Sequence, residues 1–328
     1  MAKSHHDIPQ NLQPRPADYA YDLERTLGSI VTLRADVPQD AFTAESLGTE
    51  RAGSGIVIDA PGIQGGLVLT MGYLITEADS IWLTTADGRA LAGHALAVDY
   101  ESGFGLVQPL GTLDLPPISF GDSNAVKIGQ SALLAAAGGR HRAIETRVVG
   151  RQEFAGYWEY LIEDAFFTAP AHPFWGGGAL LSDEGRLLGV GSLILQQGDE
   201  KGRRLDMNMV VPTSLLTPVL PELAATGRLA RPPRPWLGLF AMENDETVVV
   251  GAVAEDGPAQ RAGVRPGDRV MAVDGDEVPD LAGLWRRIWS AGTAGARVRL
   301  TIVRDDETLH MTLVSVDRRS VLRTPRLH

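Results

Sequence analysis

Residues 257–278 read GPAQRAGVRPGDRVMAVDGDEV, and this stretch decides the C-terminal third of the chain. A short helix over 257–263 is followed by a strand over 268–275 and a hairpin-like turn over 273–278. Working outward, WLGLFAM (236–242) and TVVVGAVA (247–254) read as strands on the upstream side. Downstream, LAGLWRRIWSAG (281–292) has helical spacing. RVRLTIVR (297–304) and TLHMTLVSVD (308–317) read as strands joined by a second hairpin turn. The module therefore runs over 236–317 and mixes helix with strand. RLARPPRP (228–235) in front of it is a stiff, basic linker, and 318–328 is a C-terminal tail.

The N-terminal two thirds follow a different pattern. From residue 53 to about 211, short apolar runs alternate with turn residues, as in SGIVID (54–59), SIWLTT (80–85), SALLAAAG (131–138) and RLLGVGSLIL (186–195). This spacing predicts a mainly β barrel or sandwich. PTSLLTPVLPELAATG (212–227) reads as one closing helix stopped by Gly227. Residues 1–20 are polar and proline-punctuated and read as a flexible arm, with ordered structure expected from residue 21.

A length of 328 residues suits two domains. A net charge of −11 argues against nucleic-acid or anionic-membrane partners, which need a basic patch. The chain has no cysteine, which excludes disulfides, thiolate metal sites and thiol nucleophiles. The first residues carry no apolar core of the kind an export signal needs, so with residue 1 as the native start a cytoplasmic location is expected. His141 and His172 stand without placed carboxylates, and neither a metal nor another cofactor is expected.

Taken in order, these segments resemble the HtrA/Deg family, trypsin-like double β-barrel proteases followed by a PDZ domain. The resemblance rests on GSGIVID (53–59), VLTMGYLITEADSIWLTT (68–85), ALAVDYESGFGLVQP (95–109), ISFGDSNAVKIGQSALLAAAG (118–138), MNMVVPTSLL (207–216) and the 257–278 stretch. It implies a trypsin-like unit over 21–227 and a PDZ domain over 236–317. Active members use a Ser-His-Asp triad, in which a base takes the serine proton and a carboxylate orients the base. The resemblance puts the histidine position at Tyr73, the aspartate position at Gly103 and the serine position at Gly176. Gly176 has no hydroxyl, Gly103 no carboxylate, and a tyrosine with a pKa of about 10 is a poor base at neutral pH. Asp99 matches a structural aspartate at a strand end and Thr70 a strand threonine, while His94 and Ser182 form no replacement dyad.

HPFWGGGALL (172–181) reads as the shell of a nucleophile loop. Phe174, Trp175 and Gly176 make up its vestigial oxyanion segment: the amides of Phe174 and Gly176 form a nest, or the aromatics collapse into the cleft. In the PDZ block the resemblance assigns Leu237, Gly238 and Leu239 to the carboxylate-binding loop. Leu284 and Ile288 form the facing helical wall, and the groove is either open or blocked by the chain's own tail or another subunit. Trp285 and Trp289 read as core or as an interaction stripe, and Tyr19 and Tyr21 sit where relatives make subunit contacts.

From the residues we expect a non-enzyme, a pseudoprotease that scaffolds or joins a larger complex and docks protein or peptide partners in a hetero-complex or homo-oligomer. The alternatives are a small-ligand binder or enzyme using the vacated cleft, and a peptidase with unconventional residues.

Overall fold

The computed structural model describes residues 8–63, 65–198, 204–244 and 247–324. The chain divides into two compact units. One holds residues up to 152, 164–229 and the extreme C-terminus, and the other holds 153–163 with 230–323.

The first unit contains two closed barrels. Helix α1 (Leu23–Gly28) leads into β1 (Ile30–Asp36), a short helix α2 (Ala44–Leu47) and β2 (Glu50–Ile58). β3 (Leu67–Met71), β4 (Ser80–Thr84), β5 (Ala90–Val98) and β6 (Phe104–Pro109) complete the first barrel, in the order β1-β2-β3-β6-β5-β4. The second barrel is built from β7 (Ser131–Ala135), β8 (Ala143–Gly156), β9 (Tyr160–Ala169), β10 (Ala179–Leu181), β11 (Leu187–Gly198) and β12 (Arg204–Pro212), in the order β10-β11-β12-β9-β8-β7. The alternating burial of β1, with Val31, Leu33 and Ala35 inside, shows the period-two pattern of a strand with one wet face. Closure brings strands close, and a Cβ on Gly55 would lie 2.3 Å from Val68 Cγ1.

Residues 212–227 depart from the single expected helix. A 3-10 turn (Thr213–Leu215) comes first, then α3 (Leu220–Thr226). Pro218 and Pro221 lack the amides that a continuous helix needs, so Pro221 sits in the first turn of a new one. Gly227 ends that helix in the left-handed region (φ +71°), its amide donating to Leu223 O at 2.9 Å.

The flexible-arm reading is corrected for residues 8–20, while residues 1–7 lie outside the described residues. Ile8 is buried against Val126, Leu134, Ile144 and Phe166, and Gln13 Nε2 donates to Ile8 O at 2.8 Å. The apolar side chains that tie the segment down are Ile8 and, partly buried beside it, Leu12, two apolar residues in a polar stretch and too weak a pattern to read.

In the second unit, β13 (Leu239–Asn244), β14 (Thr247–Val253), β15 (Arg269–Val273), β16 (Asp276–Glu277), β17 (Arg297–Arg304) and β18 (Glu307–Val314) form a six-stranded sheet. It carries α4 (Pro258–Arg261) and α5 (Leu281–Ser290). α5 starts on Asp280, whose carboxylate accepts from Gly283 N at 2.6 Å. Both expected hairpin turns form, with positive φ at Asp274 and Gly275 and at Asp305 and Asp306. The core gathers Leu237, Val250, Val270, Leu284, Trp285, Ile288 and Leu300. The tail expected over 318–328 begins as a 3-10 turn (Arg318–Val321), and its last four residues lie outside the described residues. Among the described residues no helix is long and apolar enough to cross a membrane.

Candidate functional site

The fold brings the three triad positions together. Tyr73 sits in a 3-10 turn (Gly72–Leu74) directly after β3, and Gly72 N donates to Gly103 O at 2.7 Å. Gly103 (φ +81°) closes the turn before β6. The Asp99 carboxylate holds that turn, accepting from Ser102 Oγ at 2.6 Å and from Glu101 N and Ser102 N at 3.3 Å. Gly176 lies opposite, and a Cβ placed on it would lie 3.0 Å from the Tyr73 hydroxyl.

Tyr73 fills the crevice and works as a donor. Its hydroxyl donates to Ser192 O at 3.0 Å, and burial pushes its pKa further up, so it stays protonated and is no base. The loop around it is braced by backbone bonds, two of them to β2 and β11. Ser54 N donates to Gly176 O at 2.8 Å, Gly177 N to Gly191 O at 2.9 Å, and Gly178 N to Trp175 O at 3.0 Å.

The two-amide oxyanion nest at Phe174 and Gly176 is corrected. Phe174 N donates to His172 Nδ1 at 2.9 Å, so one of the two donors is already spent. Phe174 stacks under the Arg142 guanidinium at 3.8 Å and meets the His172 ring edge-on. Phe174 and Trp175 are half-buried.

His172 is fully engaged. With Nδ1 accepting, Nε2 donates to Arg142 O at 2.8 Å, while His172 N donates to Asn208 Oδ1 at 2.6 Å. Burial lowers its pKa from 6.5 to about 4, so the ring is neutral at physiological pH. The unfolded chain takes up a proton near pH 6.5 and the folded one only near pH 4. Stability therefore falls as pH drops through that window, by about 3 kcal/mol once below it. Urea melts at pH 7, 5.5 and 4 should show that loss, and His172→Gln should reduce the slope. Among the described residues no group of three or more metal-capable side chains comes together.

Behind the crevice lies a network that sequence reasoning missed. Arg51 is only 5% exposed, and its guanidinium donates to Tyr73 O, Thr76 O, Gly48 O and Thr43 Oγ1 at 2.8–3.1 Å. The buried Glu77 carboxylate accepts from Thr43 N at 2.7 Å, from Thr43 Oγ1 at 2.6 Å and from Phe42 N at 3.1 Å. Arg51 thus fixes the turn that presents Tyr73.

In the second unit the predicted carboxylate loop does hold a carboxylate. Leu237 N, Gly238 N and Leu239 N donate to Glu159 Oε1 at 3.0, 2.7 and 3.0 Å. Gly238 adopts φ +76°, and this turns three successive amides toward one point. Burial lifts the Glu159 carboxyl to about 7, although the three amides and the Arg318 charge pull it down. Leu284 and Ile288, read from the sequence as groove walls, are wholly buried in a core cluster against which Ala155 of the 153–163 segment packs. α5 reaches the 153–163 segment through Trp285, whose Nε1 donates to Gly156 O at 2.9 Å, and through Arg286, which pairs with Glu153. Trp289 is partly buried under Arg234.

Comparison with known proteins places both units. Residues 53–190 match the trypsin-like peptidase domain and residues 235–314 the PDZ domain. Solved structures of HtrA-type protease AlgW with a decapeptide (TM-score 0.53, 93% of this chain and 98% of that one) and of the Yersinia pestis serine endoprotease (0.51, 90% and 96%) share the fold at 20% identity. The chain has the HtrA-type fold, a trypsin-like peptidase domain with a C-terminal PDZ domain. The chain is 25% identical to a probable periplasmic DegP-like serine endoprotease of Pseudomonas fulva, across 77% of itself and 53% of that protein. It is 27% identical to the putative serine protease HhoA of Synechocystis, across 89% and 80%. It thus spans about half the length of the DegP-like relatives it matches.

These relatives overturn the expectation of a non-enzyme. They are named as serine proteases. The chemistry at the three positions stays as described: Tyr73, Gly103 and Gly176 supply neither the hydroxyl nor the carboxylate of the Ser-His-Asp route.

Proposed function

We propose that this HtrA-type chain engages polypeptides through its PDZ module, taking a C-terminal carboxylate on the Leu237–Leu239 amides, and acts as a docking or adaptor unit within a protease-family assembly. One observation carries the reading: three successive amides converge on a single carboxylate oxygen. An apolar peptide with a free C-terminus should bind the intact protein at high concentration, and its amidated twin should not. Equal binding of the two in a calorimetric titration overturns the reading.

The relatives' activity favours a second reading, a peptidase that uses residues outside the Tyr73, Gly103 and Gly176 set. A fluorophosphonate probe that labels one residue, with casein cleavage abolished on its substitution, supports it, and absence of both results removes it. Location is decided by cell fractionation: the N-terminal reading expects the cytoplasm, whereas the DegP-like relatives are named periplasmic.

A further inference from the structure

The carboxylate in the PDZ loop belongs to the chain itself. Residues 153–163 form the tip between β8 and β9 and pack as part of the second unit. Besides the three amide bonds to Glu159, Ala241 N donates to Tyr157 O at 2.8 Å, and Trp158 forms an antiparallel bridge with Phe240. The tip therefore adds itself to the β13 edge, as an extended peptide does. Its other side is held by α5: Trp285 Nε1 reaches Gly156 O, and Arg286 pairs with Glu153. Backbone of one short segment thus bridges strand and helix, and a side-chain carboxylate sits where these amides would receive a chain end. Glu159 is 6% exposed, and the tip's rings stack on each other, Trp158 on Tyr160 at 5.3 Å. Water has little access to the loop, so the amides would lose their partner if the carboxylate left without replacement.

We propose that Glu159 is a built-in stand-in for a peptide C-terminus, so that the groove is closed by the 153–163 tip and admits an outside ligand only in exchange for it. The ligand class is a polypeptide end with a free carboxylate and an apolar last residue, matched to the apolar surroundings of the loop. The inference rests on the docking reading above. Its consequence is arithmetic: an internal ligand that occupies the loop most of the time weakens outside binding by the fraction of time the loop is open, so nine-tenths closure costs about tenfold in apparent affinity.

The test compares wild type, Glu159→Ala and Glu159→Gln as full-length proteins, titrated with one fluorescent apolar peptide bearing a free C-terminus. Thermal melts first establish that each variant is folded. The expected result is affinity at least about tenfold higher in Glu159→Ala than in wild type, with Glu159→Gln between, since a neutral amide oxygen is the weaker acceptor. Equal affinity in wild type and Glu159→Ala overturns the proposal while leaving the docking reading intact. No binding in any of the three, with folding preserved, overturns the docking reading and the exchange with it.

Discussion

Replacing Gly177 with alanine costs the trypsin-like unit about 4 kcal/mol, a loss of roughly 10 °C in its melting temperature. Two effects add. Gly177 has φ +76°, where an alanine pays for its Cβ, and that Cβ would lie 2.0 Å from Ser54 O and 2.7 Å from Thr70 Oγ1. Neither neighbour can yield cheaply. Ser54 O already accepts from Thr70 Oγ1 at 2.8 Å, and Ser54 N donates to Gly176 O at 2.8 Å, so moving it opens the loop. Gly176→Ala is the control: its backbone is outside the left-handed region, and its Cβ would meet the Tyr73 hydroxyl at 3.0 Å and Leu74 at ordinary contact distance, 3.9 Å. That variant should lose about 1 kcal/mol at most. A thermal melt of both variants separates the two positions, and equal melting temperatures would mean that the loop is built differently from this description.

Arg51→Ala should cost about 3–5 kcal/mol. The guanidinium is the shared donor for Gly48 O, Tyr73 O, Thr76 O and Thr43 Oγ1, and burial lowers its pKa while Glu77 supports its charge. Deleting it leaves those oxygens short of donors and Glu77 buried without the charge it faces. Arg51→Lys should recover less than half of the loss, because one ammonium cannot span acceptors that a planar fork reaches together. Adding Glu77→Gln to Arg51→Ala should cost less than the sum of the single changes, since the first has already removed the pair. Urea melts of the four proteins measure the coupling, and strict additivity would contradict the shared network.

Local signals carried much of the fold. The strands of both barrels, the hairpin turns at Asp274-Gly275 and Asp305-Asp306, the Gly227 stop and the Asp99 turn all depend on neighbours within a few residues. The positions that the family resemblance assigns, in turns and a loop beside those strands, do lie together at Tyr73 and Gly176. What escaped was long-range or context-bound. Glu159 sits in YWEY (157–160), a run that reads as strand, while its amide partners are 78 to 80 positions away. Arg51 sits near the start of β2, and its partners Thr43 and Glu77 lie 8 and 26 positions away in sequence, beyond any local pattern. Leu284 and Ile288 share the apolar face of α5, but periodicity says only that they point inward, not whether core or ligand receives them. Tyr73 is legible as a poor base at the histidine position, and the bond to Ser192 O adds a tether that no local pattern encodes.

The central claim is that the PDZ loop receives a carboxylate and that Glu159 now supplies it. Amide hydrogen exchange on the full-length protein, with and without a saturating free-acid peptide, tests this most directly. The account predicts that the Leu237, Gly238 and Leu239 amides are protected in both states, while residues 153–163 lose protection only when the peptide is bound; the amidated peptide should change neither. Free exchange of the three loop amides in the peptide-free protein, or an unchanged 153–163 segment at saturation, would contradict it.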